Sequence, residues 1–229
     1  MAEINITPID FADLGRYRLG RSLQHARSLD RATGSYRIEP EKLAEGWQAF
    51  CQRHQLDPEN PERVPREFFG CPARELRSAV ERDLRIDQWK NETFGPQARE
   101  RFYVRKPALD RVVYSVLRVS DPGVARELWF RLSEREATFA ELAPRYAAGN
   151  EVYTAGIVGP LQFGVMHPEI ANVLRSAAPG ELLKPFAIGE WHLVARVDHH
   201  LPTEFDDAVR AQMIEELLHV WLEESEKND

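Results

Sequence analysis

The sequence has few of the features that mark export, membrane insertion or disulfide bonding. Only two cysteines occur among the 229 residues, Cys51 and Cys71, too few for a disulfide framework and not at the spacing of a zinc site. No stretch approaches the roughly 20 apolar residues of a membrane-spanning helix. The start, MAEINITPIDFADLG, has neither the basic nor the apolar segment of a signal peptide. We therefore expect reduced thiols, no membrane insertion and a cytoplasmic location.

Positive charge is also scarce and dispersed. The formal net charge is −7 at pH 7, and the arginines are dispersed among acidic residues. Nucleic acids and anionic membrane surfaces are recognised by concentrated basic patches, which this sequence does not show. We therefore expect no nucleic acid partner.

The glycine pair in AGIVGP resembles a phosphate-binding turn but lacks what such a turn requires. A P-loop needs a Lys-Ser/Thr pair after its last glycine, and a dinucleotide loop needs a helix there. Pro160, Leu161 and Gln162 follow instead. The segment is therefore typical of an ordinary turn and strand, and we expect no nucleotide cofactor.

Motifs for metal binding and covalent catalysis are missing as well. No Glu-x-x-His or cysteine pair accompanies His167, His192 or the pair His199-His200. There is no Gly-x-Ser-x-Gly elbow, and no cysteine lies in the part of the chain around His192. We expect neither a metal site nor a covalent intermediate.

The hydrophobic pattern predicts two kinds of structure. Residues 1–108 have apolar residues at helical spacing, and a long amphipathic helix covers ARELRSAVERDLRIDQWKNETF. Residues 109–200 combine the strands RVVYSVLRV and WHLVARV with short helices, the first of which begins at Asp121-Pro122 as cap and first turn. Residues 201–229 form one more helix, expected to pack on the N-terminal helices. The predicted class is α+β with an additional all-α domain.

Four segments in this α+β part, in order, resemble the parvulin family of peptidyl-prolyl cis/trans isomerases. They are FAELAPRYA, AGIVGPLQFGVMHPEI, PGELLKPF and GEWHLVARV. Family members have Phe-Ala-x-Leu-Ala-x-x-Tyr-Ser, then Gly-Gly-x-Leu-Gly with Gly-x-Met-x-Pro-x-Phe, then Gly-Glu-hydrophobic-Ser-x-Pro-Val, and finally Gly-Tyr-His-Ile-Ile-x-Val. Helical sequence on both sides is similar to that of SurA-like chaperone foldases. The resemblance implies a four-stranded antiparallel sheet with surrounding helices.

The same resemblance implies a pocket for a proline side chain. The family's methionine corresponds to Met166, and its first pocket phenylalanine corresponds to Ile170, which keeps the wall apolar. The second phenylalanine falls on Arg175 by count, which would put a charge at the pocket edge unless the helix is shifted and Val173 or Leu174 fills the space. Phe163 and Leu174 complete the substrate-binding set that we predict.

The polar residues implied by the resemblance are partly replaced. The family's strand histidines correspond to His192 and Ser115, and a hydroxyl at Ser115 can hydrogen-bond to an imidazole at His192. The family's Cys or Asp falls near Ala148 or Gly149, neither of which carries a polar side chain. His192 and Ser115 are therefore the predicted catalytic residues of an atypical site.

Two functions are consistent with these features. The first is a parvulin-type isomerase joined to a helical chaperone domain, acting on X-Pro bonds of a proline-containing or unfolded client polypeptide. The second is a non-catalytic peptide-binding chaperone, or a maturation or secretion accessory, that retains the fold. Met166 and His192 favour the first, whereas the replacements at Ser115, Ala148 and Arg175 favour the second.

Overall fold

The computed structural model describes residues 11–59 and 73–228, so Cys71 lies outside the described residues. The chain divides into two units, a helical unit of residues 1–99 and 210–229 and an α+β unit of residues 100–209. The helices are α1 (Phe11–Arg16), α2 (Gly20–Thr33), α3 (Pro40–His54), α4 (Ala73–Phe94), α5 (Ala98–Leu109), α6 (Pro122–Ser133), α7 (Phe139–Tyr146), α8 (Pro168–Ser176) and α9 (Asp207–Asn228). The strands are β1 (Arg111–Val119), β2 (Ile157–Gln162), β3 (Phe186–Ile188) and β4 (Trp191–Leu201).

The helical unit has a core between α3 and α4. Trp47 and Cys51 of α3 are buried against Leu76 and Val80 of α4. Burial raises the pKa of the Cys51 thiol, so this cysteine is held in its unreactive protonated form at neutral pH.

The C-terminal helix α9 also belongs to the helical unit. The rings of Trp89 and Trp221 meet edge to face, with their centroids 4.9 Å apart. At its far end, the Glu226 carboxylate accepts a hydrogen bond of 2.8 Å from Arg21 Nε in α2. Residues from both ends of the chain therefore contribute to one helical unit.

The boundaries between the units fall at 99/100 and 209/210 rather than at the expected 108/109 and 200/201. The reason is that the C-terminal part of α5 packs against the segment after β4. The Phe102 and Phe205 ring centroids are 5.3 Å apart, and Thr203 Oγ1 donates to the Leu109 carbonyl over 2.8 Å. These contacts attach residues on both sides of the predicted boundaries to the α+β unit.

The α+β unit has a four-stranded sheet in the order β2-β1-β4-β3, with every neighbouring pair antiparallel. This confirms the predicted fold. Alternate residues of β1 and β4 face opposite sides of the sheet. One side packs on α6 and α7 through Leu117 and Val194, and the other packs on α8 through Val116 and Ala195.

Local sequence signals explain where the helices on the first side begin. Asp121 caps α6, because its carboxylate accepts hydrogen bonds from the backbone N–H groups of Gly123 and Val124 at 2.6 and 2.9 Å. This is the cap that the sequence predicts. Thr138 and Glu141 form a capping box at the start of α7.

Gly159 in β2 allows the chain to pass close to β1. Its φ is +116°, and a Cβ atom there would lie 2.5 Å from the Val112 carbonyl oxygen. A side chain at this position meets both backbone strain and a backbone atom that cannot move aside. Gly189, with φ +60°, has open space around its Cβ direction.

We predict that Gly159→Ala lowers the free energy of unfolding by about 3 kcal/mol or more, since strain and overpacking add. Gly189→Ala is the matched control and should cost only about 1–2 kcal/mol, for the left-handed backbone alone. Denaturant unfolding of both variants measures the difference. Equal losses would contradict the close approach of β2 to β1.

Candidate functional site

A cavity of about 460 Å³ opens on the α8 side of the sheet. We call it the central cavity. Its apolar wall comes from all four strands and from α8, and consists of Val116, Val158, Ile170, Ile188 and Leu193. Such a concave apolar surface with a few polar groups at one side is the usual form of a binding site.

The polar side of the central cavity contains an ion pair next to an aromatic ring. The Arg118 side chain donates to the two Glu151 carboxylate oxygens from Nε and Nη2, both over 3.3 Å. Its guanidinium carbon lies 5.6 Å from the centre of the Trp191 ring. Glu151 is 5% exposed, so the ion pair with Arg118 is largely shielded from solvent on the Glu151 side.

The segment between α7 and β2 places Glu151 against β1. Ala148 N donates to the Arg118 carbonyl over 2.9 Å, and Val116 N donates to the Gly156 carbonyl over 2.8 Å. A Cβ atom at Gly149 would lie 1.7 Å from Arg118 Nη2. Glycine at this position therefore leaves the space that the ion pair occupies.

Tyr114 adds a phenol to the same side of the sheet, and its side chain is 7% exposed. Burial raises the pKa of Tyr114, and the nearby Glu151 carboxylate raises it further, while Arg118 opposes both effects. The phenol is consequently protonated at neutral pH. It is available as a hydrogen-bond donor inside the cavity.

Of the four predicted substrate-binding residues, Ile170 is the one that lines the central cavity. Met166 is partly buried and packs against the hydrophobic core between the sheet and α8. Leu174 has no exposed surface and Phe163 is 5% exposed, and neither lines the central cavity. The reason is that Leu174 in α8 and Phe163 in the segment before α8 point toward the sheet. Both side chains are buried in the core between the sheet and α8.

The predicted contact between Ser115 and His192 is wrong. Ser115 lies opposite Arg196 in the ladder and donates to Asp198 Oδ2 over 2.8 Å, whereas His192 lies opposite Val119. Both face α6 and α7 rather than the central cavity, because they occupy the alternate positions of their strands. They therefore do not line the cavity that Ile170 lines.

Arg175 does not bring a charge to the edge of the central cavity. Its Nη2 donates to the Pro107 carbonyl over 3.0 Å, and its guanidinium carbon lies 4.7 Å from the centre of the Phe163 ring. The Arg175 side chain therefore lies next to Phe163 and Pro107 and does not line the central cavity.

The residues that sequence reasoning missed are Tyr114, Arg118, Glu151 and Trp191. Strand alternation is a signal for the first two, since they share a face of β1 with Val116. Trp191 shares a face of β4 with Leu193 for the same reason. Glu151 comes from a short irregular segment with no periodicity, so no local signal places it beside Arg118.

Residues 11–59 and 73–228 contain no group of three or more His, Cys, Asp or Glu side chains placed to hold a metal ion. In the same residues, no helix combines the length and apolar composition needed to cross a bilayer.

Comparison with known proteins finds a family model that matches part of the central cavity. Residues 124–198 match the family model of the rotamase, or PPIC-type PPIASE, domain. This range contains Glu151, Val158, Ile170, Ile188 and Trp191 of the cavity, while β1 precedes it. Comparison with curated proteins gives no match.

Several solved structures align with most of the chain. The peptidylprolyl isomerase PrsA of Bacillus cereus is 14% identical with a TM-score of 0.51, over 94% of this chain and 85% of that chain. PrsA of Bacillus anthracis is 15% identical with a TM-score of 0.43, over 88% and 89%. A structure from work on SurA-like chaperones of Campylobacter jejuni is 15% identical with a TM-score of 0.40, over 99% and 93%. At such identity, the Bacillus cereus likeness shows a common fold.

We predict that Glu151→Gln lowers the pKa of the Tyr114 phenol, because it removes a negative charge that disfavours the phenolate. Absorbance titration of the phenolate measures this, with Tyr114→Phe identifying the signal. Glu127→Gln, at an exposed position of α6, is the matched control and should leave the titration unchanged. An unchanged pKa in Glu151→Gln would contradict the geometry.

The raised pKa of Tyr114 also has a consequence for stability. The unfolded chain ionises near the ordinary tyrosine value of about 10, while the folded protein still holds the proton. The contribution of Tyr114 to stability is therefore complete below about pH 10 and decreases as the pH rises through the folded-state pKa. Tyr114→Phe should show a smaller loss of stability over that interval in denaturant unfolding. An identical loss in both proteins would contradict the burial of the phenol.

Proposed function

We propose that this chain, whose residues 124–198 form a PPIC-type peptidyl-prolyl isomerase domain, is a foldase that binds client polypeptides and isomerises their X-Pro bonds. The observation that carries the proposal is the central cavity, which residues of this domain form together with β1. It combines an apolar wall with an arginine and a protonated tyrosine. The apolar wall would hold the proline ring, and the polar side would face the peptide bond before it.

The chemistry requires no nucleophile. Rotation about an X-Pro bond breaks amide resonance, which gives a barrier of about 18–20 kcal/mol. The twisted amide is less polar than the planar one, because resonance no longer separates charge between oxygen and nitrogen. An apolar wall such as that of Ile170, Ile188 and Leu193 therefore favours the twisted state over the planar state.

Hydrogen-bond donors supply the second part of the mechanism. As the amide twists, the prolyl nitrogen regains its lone pair and becomes a hydrogen-bond acceptor. The Tyr114 hydroxyl and the Arg118 guanidinium are the donors at the polar side of the central cavity. Glu151 and Trp191 hold the guanidinium in position, so Arg118 needs little rearrangement to act.

A second candidate function is a peptide-binding chaperone or maturation accessory without catalysis. The observation in its favour is that Ser115 and His192 lie on the opposite side of the sheet from the central cavity. In that case the central cavity would bind an extended proline-containing segment without catalysing its isomerisation. A cytoplasmic location for either function stays a prediction.

Activity can be tested by measuring exchange between cis and trans peptide by NMR on a series of Xaa-Pro peptides. We expect acceleration over buffer that saturates with the concentration of the chain. Peptide binding without acceleration would overturn the foldase proposal in favour of the non-catalytic alternative. Absence of both would overturn the assignment of the central cavity.

We predict that Ile170→Ala lowers the rate of exchange per unit of protein by about 10-fold, because part of the apolar wall against the proline ring is removed. Val173→Ala is the matched control, since Val173 is partly buried on the same helix and does not line the central cavity. Equal effects of the two substitutions would contradict binding of proline in the cavity. Thermal unfolding of each variant reports any loss of fold.

A further inference from the structure

A second cavity of about 500 Å³ lies in the α+β unit at the end of β1 that is remote from Arg118. It is formed by the ends of α5, α8 and β4 and by the start of β1. We call it the basic groove. Its acidic and basic lining residues are Lys106, Asp110, Arg111, Arg175 and His200. It shares no lining residue with the central cavity.

Among the described residues that line the basic groove, Asp110 is the one with a carboxylate, and this carboxylate is already paired. Asp110 Oδ1 accepts hydrogen bonds of 2.7 Å from Lys106 Nζ and of 2.7 Å from Thr203 N. It therefore balances Lys106 and leaves the two arginines of the groove without a counterion from this residue.

Those two arginines have no carboxylate partner among the described residues. The Arg175 guanidinium contacts neutral groups, namely the Pro107 carbonyl, the Asn172 side-chain oxygen and the Phe163 ring. Arg111 is exposed at the start of β1. In a chain with a net charge of −7, two guanidinium groups that line one groove without a carboxylate partner form a local site for an anion.

The chemistry of the groove fits a carboxylate on a polypeptide. A guanidinium presents a planar fork of N–H donors that matches a carboxylate, and the Arg175 fork is held by the ring and the carbonyl below it. Tyr103, 63% exposed, and the neighbouring Leu201 and Pro202 add apolar contact surface that a small inorganic anion would not use.

We propose that the basic groove is a second binding site, for an acidic polypeptide segment in which glutamate or aspartate side chains accompany apolar or aromatic ones. Binding at this second site goes beyond the proposed foldase function, because it requires neither a proline in the ligand nor the central cavity.

The test uses the full chain and a fluorescent peptide without proline that contains glutamate, leucine and tyrosine. Its partner peptide has glutamine at every glutamate position. We expect fluorescence anisotropy to show binding of the acidic peptide, weakening as salt is added, and at least 10-fold weaker binding of the glutamine peptide.

Substitutions then assign the site. Arg111→Gln should weaken binding of the acidic peptide by about 5-fold, the loss expected for one exposed ion pair. Arg111→Gln combined with Arg175→Gln should remove it. Arg126→Gln is the matched control, because Arg126 is an exposed arginine of α6, which packs on the other side of the sheet. Ile170→Ala should bind the acidic peptide as the unaltered chain does, which separates this test from that of the foldase function.

Three results would overturn the proposal. One is equal binding of the acidic and glutamine peptides, and another is an equal loss in Arg111→Gln and Arg126→Gln. The third is displacement of the peptide by inorganic phosphate alone at a concentration equal to that of the peptide, which would indicate a general anion site. Because Arg175 also contacts the backbone, unfolding of its variant would leave the single substitution Arg111→Gln as the deciding measurement.

Discussion

The antiparallel ladder between β1 and β4 is the constraint on which both sites of the α+β unit depend. It pairs Arg111 with Leu201 at one end and Val119 with His192 at the other, so the two strands run side by side along the whole length of β1. Within this ladder, each residue's position decides which side of the sheet its side chain reaches. Tyr114, Val116 and Arg118 are consequently directed to the same side as Leu193.

The ends of this ladder carry different chemistry. At the Arg118 end, a short segment brings in a buried carboxylate, so the charge of the arginine is balanced within the protein. At the Arg111 end, the Asp110 carboxylate of the basic groove is occupied by Lys106 and a backbone N–H group. An apolar cavity with a neutralised polar side suits a proline ring, whereas a groove with unbalanced guanidinium groups suits an anion.

The polar residues of the central cavity differ from those that the parvulin resemblance implies, and the structure gives a physical reason for the difference. Where the parvulin resemblance implies Cys or Asp near Ala148 or Gly149, this chain has a glycine that leaves space for Arg118, and Glu151 follows two positions later. Prolyl isomerisation needs an apolar surface and hydrogen-bond donors rather than a particular side chain. In the proposed foldase, Tyr114 and Arg118 would supply these donors in place of the histidine and cysteine that the resemblance implies.

Sequence alone determined the class of this protein, because its signals are local or periodic. The β-branched strands, the Asp121 cap, the helical spacing of the flanks and the four parvulin-like segments each depend on neighbouring residues, and together they gave an α+β unit and an Ile170 at the cavity wall. The sites needed the tertiary structure. Which of two alternating strand faces holds the cavity depends on where α8 packs, and this placed Ser115 and His192 on the other side. The pairing of Arg118 with Glu151 joins residues that no sequence period connects, so only the folded chain could bring them together.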